Sequence, residues 1–161
     1  MSSLVSQGVR AAKTGVLPPQ LDLFKAMIEA ATDLTVDQAI FKLNGVGLED
    51  ACKRHAQNLM TYGICLQECK TLEESVRVGT EELESSLYRN LNENNNRTLG
   101  QRDLVIYLKS EPTYVAAQEL LLEIAMVKRK LEAIVEALQS MGWSLGHIVK
   151  LRVAQLEDVT L

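Results

Sequence analysis

Between Leu48 and about Leu91 the chain has no proline and no cluster of turn-forming residues. Apolar or small residues return there at alternating intervals of three and four: Leu48, Cys52, His55, Leu59, Tyr62, Leu66, Cys69, Leu72, Val76, Thr80, Leu83 and Leu87. That spacing keeps one stripe of a helix turned toward a partner and is the pattern of a coiled coil. At a rise of about 1.5 Å per residue the helix extends for roughly 65 Å, too far for a compact domain of this size to enclose. The stripe therefore needs covering, either by the rest of the chain or by other copies. Gly63 and Gly79 fall inside it. Each costs about 1 kcal/mol relative to Ala in a helix interior, which a close approach of another helix would justify at both. The alternative is a break at Lys70-Thr71, where Thr71-x-x-Glu74 could cap a new helix.

A second long helix is expected from Ser110-Glu111-Pro112, a cap followed by a helix-compatible proline, to about Met141. Its seam is Ala116, Leu120, Ile124, Val127, Leu131, Ile134 and Leu138. Asn92 to Arg97 reads as the hairpin tip between the long helices, because Asn favours turns over helix interiors. Thr98-x-x-Gln101 then caps a short helix carrying Leu104, Val105, Ile106 and Leu108. Gly142 is expected as the left-handed residue that ends the second long helix. Trp143 would pack back on it, and Ser144 would cap a last helix with Leu145, Ile148, Leu151, Val153 and Leu156.

Upstream, residues 1–17 read as a flexible arm, small and polar with Arg10 and Lys13, its mild positive charge suited to an acidic surface. Pro18-Pro19 opens a short helix with Leu21, Phe24, Met27, Ile28 and Ala31 on one stripe. Thr35-x-x-Gln38 caps another, ended by Asn44-Gly45-Val46-Gly47. The fold expected is all-α, a long coiled-coil-like helical hairpin with short flanking helices. After the arm, a single domain covers 18–161: short helices over 18–47, a long helix plus loop and short helix over 48–110, and the second long helix with a carboxyl-terminal helix over 111–161.

Composition narrows the function classes. Hydrophobic residues make up 47% but aromatics only 4%, against 24% charged, which describes a Leu/Ala/Val-rich helical protein rather than a sandwich or barrel. Three cysteines and no apolar amino-terminal run read as reduced thiols in the cytoplasm, and no run approaches the roughly 18 apolar residues needed to span a bilayer. With a net charge of −4, nucleic-acid contact would need a local patch, multiplied by oligomerisation. Phosphate-loop, dinucleotide, zinc-protease and nucleophile-elbow motifs are missing, and His55 and His147 are the only histidines. Cys65 and Cys69, four apart and downstream of Cys52 and His55, superficially resemble metal ligands; as small hydrophobes they suit the helix seam better. Glu73, Glu74, Glu81, Glu82 and Glu84 lack the Glu-x-x-His partner of a di-iron bundle and read as a solvated face. The expectation is a protein with no catalytic residues, metal, cofactor or small-molecule substrate. The densest cationic run is Lys128-Arg129-Lys130, with Lys150 and Arg152 beyond it. It is either a solvated face paired to Glu123 or Glu132, or a phosphate-binding patch repeated around an oligomer.

Three carboxyl-terminal stretches carry a resemblance: Leu131-Glu132-Ala133-Ile134, then Ala137-Leu138-Gln139-Ser140-Met141-Gly142-Trp143, then His147-Ile148-Val149-Lys150-Leu151-Arg152. Two helices meeting at a Gly-aromatic corner, with His-Ile and an Arg beyond, resemble the carboxyl-terminal segment of the UvsY family of phage recombination mediators. Weaker similarity runs back through Ser110 to Leu120 and to Ala56 to Tyr62, roughly two thirds of the chain, leaving out the arm and the first short helices. The resemblance implies a helical ring that binds single-stranded DNA, displaces the single-strand-binding protein and loads a recombinase. Assembly through the carboxyl-terminal helices would make Leu138, Trp143, Ile148 and Leu151 interface residues. One departure is plain: the family's lysine- and arginine-rich stretch falls where this chain reads Glu81-Glu82-Leu83-Glu84-Ser85-Ser86-Leu87-Tyr88-Arg89. The leading expectation is a homo-oligomeric mediator, or a related single-stranded-DNA-binding accessory, with Lys128, Arg129, Lys130, Lys150 and Arg152 on the phosphates. The alternatives are a structural protein of a phage particle, which would place it in the virion, and a small helical partner-binding regulator.

Overall fold

The computed structural model describes residues 3–33, 47–94 and 100–158. Over them the chain is all-α, with α1 (Leu4–Thr14), α2 (Pro19–Thr32), α3 (Leu48–Asn94), α4 (Gln101–Ser110) and α5 (Pro112–Asp158). The short helix expected from Thr35 and the remainder of the expected Asn-rich tip beyond Asn94 lie outside the described residues. Asn92 to Asn94, expected in that tip, instead continue α3, and α4 is preceded by an extended Gly100 with no side-chain cap rather than by a Thr98 cap.

α3 is one unbroken helix of 47 residues. Thr71 does not recap it: the hydroxyl donates back to the Gln67 carbonyl at 3.0 Å, within the helix. The expected seam is buried over its middle, at Tyr62, Leu66, Cys69, Leu72, Val76 and Thr80 on α3 and at Leu120, Ile124, Val127, Leu131, Ile134 and Leu138 on α5. Leu48, Cys52, His55, Leu59, Leu83 and Leu87, toward the ends of α3, are only half-buried, as is Ala116 on α5, beside which Ala117 is buried instead. The two long helices pack together as the antiparallel arms of a hairpin.

Two further expectations fail, each for an identifiable reason. Where composition points to a flexible arm over residues 1–17, the structure holds α1 instead. Ser3 caps it by accepting from the Ser6 N–H at 3.3 Å, and Gly15 ends it with φ 68°, its N–H bonded to the Ala11 carbonyl. The buried residues of α1 are Gly8, Ala11 and Ala12. Such small residues leave no large-apolar stripe in the sequence but bring two backbones close together. The second failure concerns Gly142. α5 runs for 47 residues straight through it, and among the described residues Gly15 alone has a positive φ. The corner and separate last helix are therefore not formed, and the Ser144 hydroxyl turns back toward the Ser140 carbonyl at 3.4 Å. A terminating glycine needs the left-handed conformation; Gly142 stays helical, with the His55 ring packed against its backbone.

The chain forms two compact units, each assembled from separated stretches. One comprises Met1–Phe24 with Gln67–Lys128. In it α1 lies parallel to α3: Gly8 packs on Ser75, Val9 and Ala12 on Gly79, and Lys13 pairs with Glu82 at 2.6 Å, so residue numbers rise together on both helices. The mild charge of the amino-terminal segment thus meets an acidic partner within the chain. A Cβ on Gly79 would sit 2.9 Å from both the Ala12 Cβ and the Val9 Cα, which explains a glycine there despite its helix cost. Gly63 has no such role, since nothing lies within 4 Å of its would-be Cβ. Leu21, Phe24, Leu72, Leu104, Leu108 and Ile124 are buried in this unit.

The other unit comprises Lys25–Leu66 with Arg129–Leu161. α2 is fastened to α3 here by the Tyr62 hydroxyl, which donates to the Met27 carbonyl at 3.1 Å, and by the Cys65 thiol against the Met27 sulfur at 3.3 Å. Ile28, Ala31, Tyr62, Leu66, Leu131 and Leu138 are buried; a fully buried Leu or Ile contributes roughly 1.5–3 kcal/mol relative to exposure.

Candidate nucleic-acid and assembly surface on α5

The five cations expected to face phosphates do not share one environment. Lys128 is engaged: its ammonium bonds both Glu73 carboxylate oxygens, at 2.8 and 2.7 Å, with each side chain only about a quarter exposed (25% and 27%). Its charge is satisfied within the fold and is not available to a phosphate. Arg129, Lys130, Lys150 and Arg152 are exposed, and none forms a salt bridge among the described residues. From Ala137 to Leu156 the sequence has no acidic residue, while Lys150, Arg152 and His147 fall inside it. The carboxyl part of α5 is thus locally cationic in an acidic protein.

The expected assembly residues separate in the same way. Leu138 is fully buried in the core of its own unit and presents no surface to another copy. Trp143 is 77% exposed, Leu151 65% and Ile148 45%, with Val149 and Val153 also exposed. Their exposure has a simple cause. The seam of α5 ends at Leu145, and every side chain described from Gly146 to Gln155 is exposed, so nothing among the described residues covers the final turns.

Helical spacing sorts this segment into stripes. Gln139, Trp143, Gly146, His147 and Lys150 stand at intervals of three and four along one face. With His55 and Leu59 of α3 and the backbone at Gly142 they line an open groove of about 380 Å³. Glycine makes the groove possible. A Cβ at Gly142 would meet the His55 Nε2 at 2.7 Å, and at Gly146 it would find nothing within 4 Å, so helix backbone is open to the groove there. No lining residue is acidic. The His55 Nδ1 is buried with no hydrogen-bond partner among the described residues. Ile148, Leu151 and Arg152 belong to a different stripe, so of the exposed residues expected at an assembly interface Trp143 lines the groove and Ile148 and Leu151 do not.

Neither the groove nor the participation of Gln139, Gly146, His147 and His55 in it was anticipated from the sequence. The signal was there in Gly142-x-x-x-Gly146 with Trp143, His147 and Lys150 at i, i+4 and i+7. Placing a helix break at Gly142 scattered those residues over two elements and hid their common face.

Cys65 and Cys69 are buried and Cys52 half-buried, all three unbridged. Among the described residues no group of three His, Cys, Asp or Glu could hold a metal. The acidic face of α3 is engaged: Arg77 bonds Glu74 at 2.5 Å and Glu81 at 2.8 Å, and its hydrogen bonds hold the Glu74 carboxyl below its ordinary value. Among the described residues no helix is long and apolar enough to cross a membrane. No family model, curated protein or solved structure matches this chain.

Proposed function

We propose that this chain is a non-enzymatic helical protein that assembles into a homo-oligomer and binds single-stranded DNA, as an accessory of the recombination-mediator kind working with a recombinase in the cytoplasm of a host cell. The observation that carries the reading is the carboxyl part of α5. Its cations Lys150 and Arg152 are exposed with no acidic residue between Ala137 and Leu156, and Trp143, Ile148 and Leu151 stand exposed on the same segment. A net charge of −4 gives one subunit little affinity for a polyanion, so repetition of this patch around an assembly is what makes binding effective. Arg129 and Lys130 extend the cationic surface toward the middle of the helix.

The test is the solution mass of the full-length protein with and without a single-stranded oligonucleotide, followed by affinity against salt. The expected result is an oligomer whose affinity falls steeply with salt, with a slope of about −0.7 per phosphate neutralised. Binding that is absent, or insensitive to salt, would remove the DNA reading. Replacing Ile148 and Leu151 by Asp should break the oligomer while leaving helix content intact, since both side chains are exposed in the single chain.

A second reading is a structural protein of a phage particle. Ile148, Leu151 and Val153, exposed and apolar with no partner in their own unit, support assembly whether or not DNA is bound. An oligomer of fixed size with no affinity for single strands at low salt would favour it.

A further inference from the structure

We propose that the groove lined by Trp143 and Lys150 is a nucleobase-stacking pocket, in which one base of a single-stranded DNA lies on the indole of Trp143 and Lys150 meets a neighbouring phosphate. The inference rests on the single-strand reading above and adds the residue that holds a base and the surface on which the base sits.

Trp143 is the chain's only tryptophan, and its side chain stands 77% exposed at the rim of a groove. An exposed indole offers a broad apolar and aromatic face to a partner. The surface beside Trp143 is open helix backbone at Gly146, where nothing comes within 4 Å of a would-be Cβ, so a flat ring can lie against it. A partner there also meets positive charge: Lys150 lines the groove and no carboxylate does. An aromatic ring carrying an anionic backbone suits both features, and base-on-aromatic stacking is indifferent to sequence, as a general single-strand binder requires. The groove volume of about 380 Å³ is at the lower end of the range for small-ligand clefts. Trp143 and Lys150 are two helical turns apart, about 10 Å along the axis, so one side chain can hold a base while the other reaches a phosphate beside it. Ile148 and Leu151 lie on another stripe, so assembly through them leaves the groove open.

Because Trp143 is the only tryptophan, its fluorescence in the full-length protein reports on the groove directly. The probes are a single-stranded oligodeoxynucleotide and an abasic oligomer of the same length, each titrated at low salt. The base-bearing strand should quench the emission and bind roughly ten-fold tighter than the abasic one. Trp143→Ala should erase that difference, with Trp143→Phe restoring part of it. Lys150→Gln should lower the salt slope by about 0.7, one single-strand phosphate contact, without abolishing the quench. If the strand binds while the emission and the Trp143→Ala affinity stay unchanged, the pocket assignment falls and the single-strand reading stands. If no strand binds, both fall. If the emission shifts to the blue with protein concentration and DNA leaves it unaltered, a second copy covers the indole, and the assignment is overturned.

Discussion

Two glycines of α3 have opposite consequences for the same substitution. At Gly79 an added Cβ would sit 2.9 Å from the Ala12 Cβ and the Val9 Cα, so backbone as well as side chain must shift. Gly79→Ala should therefore cost about 1–3 kcal/mol through overpacking, despite its better helix propensity. At Gly63 nothing lies within 4 Å, and Gly63→Ala should stabilise by up to about 1 kcal/mol. Urea denaturation of the two variants measures both signs, and equal shifts would contradict the α1 packing. Gly8 is as crowded, its would-be Cβ falling on the Ser75 side chain, whose hydroxyl is already committed to the Leu72 carbonyl at 2.8 Å. Tyr62 supplies the pH dependence. Burial, and then the nearby Cys65, raise its phenol above the ordinary 10.0, so the fold holds the neutral form. That contribution is complete below pH 10.0 and is lost as pH rises through the raised value. Tyr62→Phe should be about 1 kcal/mol less stable at pH 8 and should approach wild type as the pH rises through that raised value and the wild-type tyrosine ionises. Parallel pH curves would show that Tyr62 does not titrate with unfolding.

At the level of the elements, α5 divides into a part whose cation is spent and a part whose cations are not. Lys128 and Glu73 form a mostly buried ion pair between α5 and α3, and removing one partner leaves the other's charge inside with nothing to balance it. Lys128→Gln should therefore destabilise the fold by about 1–2 kcal/mol while leaving the salt slope of DNA binding unchanged. Lys130→Gln and Arg152→Gln should do the reverse, lowering the slope with stability nearly unaltered, since both residues are exposed and form no salt bridge among the described residues. Melting temperature and salt-dependent affinity, measured on the same three proteins, separate the two roles. The long helices themselves were legible because their seams use large residues at three-and-four spacing. α1 was not, because it is buried through Gly8, Ala11 and Ala12, whose value lies in how closely they let α3 approach. The continuity of α5 was missed for a related reason. A glycine followed by an aromatic residue reads as a helix end, and only the His55 ring across Gly142 reveals another use for the missing side chain.

For the molecule as a whole, protection against exchange should follow burial. Backbone amides of α5 around Leu131 and Leu138, both fully buried, should exchange slowly, and those from Gly146 to Gln155, where every side chain is exposed, quickly. Assembly should slow the second set, and hydrogen exchange followed by mass spectrometry over a range of protein concentrations measures the change. A tail as protected at high dilution as the core would argue against an interface there. What the sequence alone determined was the helical class, the long α3, the start of α5, and the large buried residues in the middle of both seams. Those follow from local propensity and from a period that repeats over many turns. Tertiary structure decided which glycines mark close packing, which lysine was already neutralised, and which stripe of α5 was left uncovered. Those outcomes depend on what stands across from a residue, and a carboxylate 55 positions away in the chain or a histidine ring from another helix has no signature in the residues beside it.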